Sequence, residues 1–563
     1  MPTLLSTISD ARRAKPTRTV QKLDDRNVDD AFSAYSCPEG YDKKIVIVRP
    51  PAALSRTTYS APVTPPIGPA YLAAVLRRAN YSVNIVDAIG EAVHNIVESD
   101  CKRYNLQGLS HDDTVELIDS NAEIIGVSIM FSLEWLAQRE FILRLRRKFP
   151  KAKIVVGGEH VTALPEYVLR DCPEIDFVIL GEGELTLLDF VHAVAKGRPI
   201  GDVAGVAYLD DAGEYKSNLL SRRIAEISLL PRPAWDLLPI ENYMVGNFTM
   251  GIFMGRNMPI LATRGCPYQC TFCSSPAMWT TRYLMRDPSE VVDEIEWLVE
   301  TYDANSIDFF DLTAIVKKKW ILEFCDELKQ RNLDLTWQLP SGTRSEALDT
   351  DTLTVIKRSG LRYLVYAPES GSQKTLELIK KKLKLPRIVN SIKSAIDAKH
   401  MVKINLIIGF PEETLGSCLS TVWFAMRMGW SGVDDCNITA FSPYPGSAIY
   451  NDLLKEGRLQ EPDDDYFLAL IAQFDMTSSV AYCRRVPGWA LAGLRIFGLS
   501  VFYSIAYLKF PKKIWRLINN LRDERFQPSN LFEQRIFDAL VRARISKRSK
   551  LAKTKLSSQE SPI

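Results

Sequence analysis

The chain reads as an α/β protein in two successive units, a doubly wound parallel sheet and then a partial (β/α)6 barrel, followed by a helical C-terminal region. Three observations predict this. Short β-branched runs alternate with helical text from Lys43 onward, a second series of the same kind starts at Pro259, and a C-x3-C-x2-C cluster of Cys266, Cys270 and Cys273 follows the first strand of that series. Alternation matters because parallel strands cannot be joined by a hairpin and need a crossover, usually a helix.

Taken in order, residues 1–42 are rich in Ser, Thr, Asp, Arg and Lys without periodicity and are expected to form a disordered leader. Residues 43–225 supply strands near 43–49, 82–88, 124–129, 153–158 and 176–184, with a helix at 68–80. Residues 226–258, punctuated by Pro231, Pro233 and Pro239, read as a linker. Six strands follow in 259–455, and residues 456–563 read as helices ending in a basic tail.

With 563 residues, about three or four domains are expected, and 46% hydrophobic content is enough to give each a core. A net charge of +2 argues against bulk attraction to nucleic acid, so none is expected as a partner. Ten cysteines show no pairing rhythm beyond the triplet. That fits a reducing cytosol, and residues 1–7 lack the apolar core of a secretory signal.

Each candidate ligand of the doubly wound sheet belongs at the carboxyl ends of its strands. Ser128 ends the third strand, Gly157-Gly158-Glu159-His160 with Thr162 the fourth, and Gly181-Glu182-Gly183-Glu184 with Thr186 the fifth. Glycine at such ends admits a bulky ligand close to the backbone. In the second unit, three thiolates on one turn are one short of a closed zinc or iron–sulfur site. No fourth Cys or His follows nearby, which disfavours zinc, and the Arg-Gly-Cys-Pro-Tyr turn disfavours buried free thiols. A metal centre held by three protein ligands keeps one position open for an exogenous ligand.

At that motif the chain resembles the radical S-adenosylmethionine (radical SAM) superfamily, whose [4Fe-4S] cluster uses its open iron to bind the amino and carboxylate groups of S-adenosylmethionine. The run Gly157-Gly158-Glu159-His160-x-Thr162, followed by Gly181-Glu182-Gly183-Glu184-x-Thr186, resembles the N-terminal Rossmann-like cobalamin-binding domain of one branch of that superfamily. The resemblance implies that Ser128, Gly157 and Gly158 line the groove for the nucleotide tail, with Glu159, Gly181 and Glu182 beside them. The loop 50–66 holds no histidine, so the resemblance implies a cobalt without a histidine from that loop. His160 reads either as a neighbour of the corrin edge or as an ordinary hydrogen-bonding turn residue.

Along the second unit the resemblance implies a role for each strand end. Phe272 packs against adenine. Asp311 accepts from the methionyl ammonium or from nearby main chain, or serves as a helix cap. Arg344 clamps a carboxylate, and Glu369, with Ser370, binds the ribose. The turns 408–414 and 442–447 shape the adenosine pocket.

These features imply a cobalamin-dependent radical SAM enzyme, a methyltransferase acting on an unactivated carbon, with oxidative cyclisation as the close rival and a non-catalytic redox or ligand sensor as the rival of another class. The expected partners are a small molecule, with a hint of lipophilic character, and an electron donor such as flavodoxin or ferredoxin. The segment 489–508 holds one charge, Arg495, and basic residues follow it. It reads either as a packing helix over the barrel or as an interfacial helix that brings the enzyme to the inner face of a membrane.

Overall fold

A computed structural model describes residues 32–56, 63–218, 223–245, 249–344, 347–473, 475–476 and 479–522, with 530, 532, 533 and 536 beyond them. Most of the expected leader, part of the loop 50–66 and the basic tail lie outside the described residues.

The first sheet has seven strands: β1 (Lys44–Arg49), β2 (Val83–Asp87), β3 (Ala122–Ser128), β4 (Lys153–Gly157), β5 (Phe177–Ile179), β6 (Val206–Leu209) and β7 (Tyr215–Ser217). Their spatial order is β7-β6-β5-β4-β3-β1-β2. The first five are parallel, and β6 and β7 add an antiparallel edge that the sequence reading did not foresee. Ile45 to Val48 are all buried because helices cover both faces, which is why β1 is a continuous apolar run. The chain changes direction across β1, leaving a crevice at the carboxyl ends of β1 and β3.

The second sheet is six parallel strands in sequence order: β8 (Asn257–Ile260), β9 (Ser306–Phe309), β10 (Thr336–Thr343), β11 (Leu361–Glu369), β12 (Met401–Ile408) and β13 (Asp435–Ala440). This is the expected open, partial barrel, and its mouth lies at the strand carboxyl ends. β10 and β11 run further than their apolar cores suggest, because irregular register after Leu339 and Tyr366 lets the pairing resume at Thr343 and Glu369.

Three connecting regions depart from the sequence reading. Phe32 is buried, Arg78 lies over its ring, and the Cys37 amide donates to the Ala79 carbonyl, so the end of the expected leader packs on the first unit. The proline-rich linker is core: Trp235 is fully buried, and Tyr243 bonds both Asp87 and Arg49 at the ends of β2 and β1. The C-terminal region divides. Helix Asp464–Ala472 sends Tyr466, Phe467 and Leu470 into the core of the first unit, whereas helix Gly488–Lys509 covers β13 and helix Leu415–Ser431 of the second. Burial of large aromatics across the junction, not a flexible tether, sets how the two units sit.

Candidate active site

At the carboxyl edge of the first sheet, Ser128 sits beside Gly157 in the β3–β4 ladder. Gly158 follows with φ +131°, and a Cβ there would collide with the Ile129 carbonyl, so the protein's own backbone demands glycine. Gly157 is different. A Cβ on it would meet Ile179 alone, 3.7 Å from its Cβ and 3.9 Å from its carbonyl oxygen, which are ordinary contacts, so packing does not demand the glycine. Gly181, at φ +69°, donates its amide to Thr162 Oγ1 at 3.0 Å and ties the β5 turn to the β4 turn.

Two residues expected at the cofactor are occupied elsewhere. His160 is buried with Nδ1 3.0 Å from Ser132 Oγ and its ring between Trp135 and Phe467, at 5.2 and 5.7 Å; burial lowers its pKa to about 3. It is therefore the turn residue, anchored in aromatic core. Glu182 accepts from the Ile224 amide at 2.8 Å and from Arg223 at 3.3 Å, and Arg264 stands 3.8 Å away. With Glu184 bonded to Arg264 as well, the Gly-Glu-Gly-Glu turn forms a buried ion network that joins the two units instead of facing a cofactor.

Arg264 leads directly into the cluster loop. It lies in a short antiparallel pair, Thr263–Arg264 against Leu284–Met285, and Gly265 at φ +82° turns the chain where a Cβ would strike the Arg282 carbonyl. Cys266, Cys270 and Cys273 follow, each free and half-buried on the loop. Among the described residues, no three His, Cys, Asp or Glu side chains are grouped closely enough to hold a single ion. Three thiols on one loop are the donor number and type of a three-thiolate cluster, and in that respect the residues fit one. Burial pushes all three thiols up, while Lys381 and Arg344 act to lower Cys266 and Cys270.

Two contacts fix the loop. The Thr271 amide donates to the Ile379 carbonyl at 3.0 Å, and Ser274 donates to the carboxylate of Glu159. The second contact brings the Gly-Gly turn of the first sheet against the residue after Cys273. Gly446 packs into the same junction, where a Cβ would lie 3.0 Å from Ala277 Cβ and 3.1 Å from Ala163 Cβ.

Around the mouth, Phe272 stands 5.7 Å from the Phe410 ring, with Lys381 Nζ 5.8 Å from its centroid. Lys381 bonds Glu369 Oε1 at 2.8 Å, and Glu369 Oε2 has no partner among the described residues. Glu369 itself is held at φ +65°, and Lys380 and Lys382 at +53° and +49°, conformations costing about 1–2 kcal/mol each for a side-chain-bearing residue. Arg344 donates to the carbonyls of Lys381 and Lys382 at 3.1 Å and lies 3.6 Å over Tyr268. Asp311 accepts from Thr263 Oγ1 and the Ala262 amide, and burial lifts its pKa to about 6. Each oxygen thus accepts one bond, which realises the main-chain role and leaves each oxygen a further acceptor site. Ser370 Oγ is 2.9 Å from Thr421 Oγ1 and fully buried, so it braces the turn after β11. Glu413 does the same after β12, accepting from the amides of Gly409 and Phe410. Lys381 was missed because Lys380-Lys381-Lys382 reads as a solvated charge run; only the tertiary fold turns one of the three inward.

A family model described as B12 binding domain matches residues 56–191, and one described as Radical SAM superfamily matches 260–422. The chain belongs to the radical SAM enzymes that carry an N-terminal B12-binding domain. An uncharacterised methyltransferase of Pyrococcus horikoshii is 29% identical over 418 residues, covering 73% of this chain and 84% of that one. The anaerobic magnesium-protoporphyrin IX monomethyl ester cyclase of Rubrivivax gelatinosus is 28% identical over 454 residues, 79% and 75% respectively. Among solved structures, the radical S-adenosylmethionine methyltransferase TsrM of Kitasatospora setae superposes with a TM-score of 0.55 at 16% identity, over 74% of this chain and 78% of that one. That likeness establishes a shared fold for this radical SAM enzyme. The B12-binding span holds Ser128, Gly157 and Gly158, and the radical SAM span holds all three loop cysteines.

Proposed function

We propose that this enzyme transfers a methyl group to an unactivated carbon of a small molecule, using a [4Fe-4S] cluster, S-adenosylmethionine and cobalamin. The observation that carries the reading is the Glu159–Ser274 hydrogen bond, which joins the residue after the Gly-Gly turn to the residue after Cys273. It holds the Gly-Gly turn and the cysteine loop at one junction, which supports setting the two cofactors side by side. When bound, the groups supply one-electron cleavage of S-adenosylmethionine, hydrogen abstraction from the substrate and a methyl carried on cobalt.

The chain's own residues bind and orient. Cys266, Cys270 and Cys273 would hold three irons and leave the fourth for the cosubstrate. Phe272 offers a face for adenine. Oε2 of Glu369, without a partner among the described residues, accepts from a ribose hydroxyl, while Lys381 holds Oε1 and fixes the carboxylate. Arg344 acts one step back, pinning the Lys381–Lys382 main chain and stacking on Tyr268. On the other side, Ser128, Gly157 and Gly158 line the groove for the cobalamin tail, and the loop 50–66 brings no histidine to cobalt. A small redox protein of the flavodoxin or ferredoxin kind supplies the electron. All ten cysteines are free, which supports a reducing cytoplasm.

Anaerobic reconstitution, then mass spectrometry of a candidate substrate pool with methyl-deuterated S-adenosylmethionine, tests the reading. A product carrying the labelled methyl together with 5′-deoxyadenosine supports it. A product that has lost hydrogen and gained no label would establish the second reading, oxidative cyclisation, which the likeness to the Rubrivivax gelatinosus enzyme favours.

A further inference from the structure

Helix Gly488–Lys509 is apolar on both sides. Its inner side is packed: Gly498 lies against Val422 and Ile438, Phe502 against Gly429, and Arg495 donates to the carbonyls of Ile438, Gln473 and Asp475. Its outer side is bare, with Trp489 and Leu508 80% and 78% exposed, and Ile496 and Phe497 about half exposed. An apolar outer face of this extent marks a surface that meets something other than water.

The neighbouring helices continue that surface. Helix Leu415–Ser431 exposes Leu419, Trp423 and Trp430, and helix Lys512–Arg522 exposes Ile514, Trp515 and Ile518. The three are stitched together by cations. Lys509 Nζ lies 3.9 Å over the Trp430 ring and 2.7 Å from its carbonyl, and Lys513 bonds the carbonyls of Gly432 and Val433. A groove of about 800 Å³ opens beside Trp423, with Leu385 and Val389 on its wall and Lys393 and Arg427 on its lining. The charge is mainly cationic: neither 414–433 nor 488–522 contains an Asp or Glu, and of the cations there Lys513 pairs with Asp434 at 2.9 Å and Arg516 stands 3.7 Å from Glu533, leaving Arg427, Lys509 and Lys512 to set the sign of the face.

We propose that this three-helix surface seats the enzyme on an anionic lipid bilayer, lying on it without crossing. Exposed tryptophans beside lysines suit the headgroup boundary, where an amphipathic ring keeps its apolar body in lipid and its N–H in water. A second copy of the chain fits less well, because a two-fold contact would set this cationic face against its own like. A span fits less well too, since the helix has protein along its Arg495 side. The inference is independent of which carbon is methylated.

The test is flotation of the full chain with phosphatidylcholine vesicles, with and without phosphatidylglycerol. The expected result is partitioning onto the anionic vesicles only, weakening with salt and falling about fivefold for each exposed lysine neutralised, as in Lys512→Ala. Trp489→Ser and Trp515→Ser, both at exposed positions, should weaken binding at every salt concentration while the melting temperature holds. Absence of flotation at low salt would overturn the proposal. So would flotation indifferent to these variants, or a stable dimer that Trp430→Ser or Trp515→Ser splits.

Discussion

The mouths of the two sheets face each other and offer a ligand different things. At the first, the polar side chains are spent on the protein: His160 on Ser132, Glu182 on Arg223 and the Ile224 amide, Tyr243 on Asp87 and Arg49. What is left is room at Gly157. At the second, reactive atoms stay available: three half-buried thiols and one oxygen of Glu369 that has no partner among the described residues. On the proposed function, shape holds the corrin whereas donor atoms hold the cluster and its cosubstrate, so the two sites should break in different ways.

The largest effect is expected at the cluster loop. Cys266→Ala, Cys270→Ala or Cys273→Ala should each abolish the cluster absorbance and 5′-deoxyadenosine formation, because three ligands leave no redundancy. Cys325→Ala, a buried thiol 3.2 Å from Ser359 Oγ, should keep both. Next comes Lys381→Met, which strands the Glu369 carboxylate in a buried site and should cost about 3–5 kcal/mol of stability along with cosubstrate affinity. Lys381→Arg should recover part of each. Denaturant unfolding and equilibrium binding of S-adenosylmethionine measure the two losses.

The first mouth should separate shape from stability. Gly158→Ala forces a side chain into a left-handed backbone against the Ile129 carbonyl and should destabilise by about 1–3 kcal/mol whether or not cobalamin is present. Gly157→Ala, whose Cβ meets only ordinary contacts, should leave the melting temperature nearly unchanged and weaken cobalamin retention, read from the corrin absorbance after gel filtration. If the two variants behave alike, the distinction between demanded and spare glycine fails.

The smallest effect is in acid. The folded protein keeps His160 neutral, with a pKa of about 3 against an ordinary value of 6.5. The unfolded chain therefore binds the extra proton first, so stability is fully present above 6.5 and is lost as pH falls from there toward 3. At pH 5 the loss is about 2 kcal/mol. His160→Gln, which can still bond Ser132, should remove that part of the fall when melting is followed from pH 7 to 5.

Much of this was legible in the sequence because strands buried on both faces announce themselves as apolar runs, and because one tight turn carries all three thiols. Both sheets, the strand order of the second, and the Cys266, Cys270 and Cys273 loop come from local text. The antiparallel edge of β6 and β7 escaped because its strands are short and half polar. Glu182 was assigned to a cofactor since a Gly-Glu-Gly-Glu turn looks the same whether its carboxylates meet a ligand or Arg264, 80 residues from Glu184 along the chain. The proline-rich stretch read as a spacer, but Trp235 and Tyr243 give it enough apolar area to be core. Partners distant in sequence decided the last two departures, whereas β6 and β7 pair locally.

The central claim is that one chain brings a cobalamin site and a three-thiolate cluster to a single junction for methyl transfer. Mass spectrometry of the corrin bound to anaerobically reconstituted enzyme, after incubation with methyl-deuterated S-adenosylmethionine and a low-potential reductant, tests it without knowledge of the substrate. The expected result is a protein-bound corrin carrying the deuterated methyl. A reconstituted cluster that cleaves S-adenosylmethionine while the chain retains no corrin, or retains one that never gains the label, would contradict it.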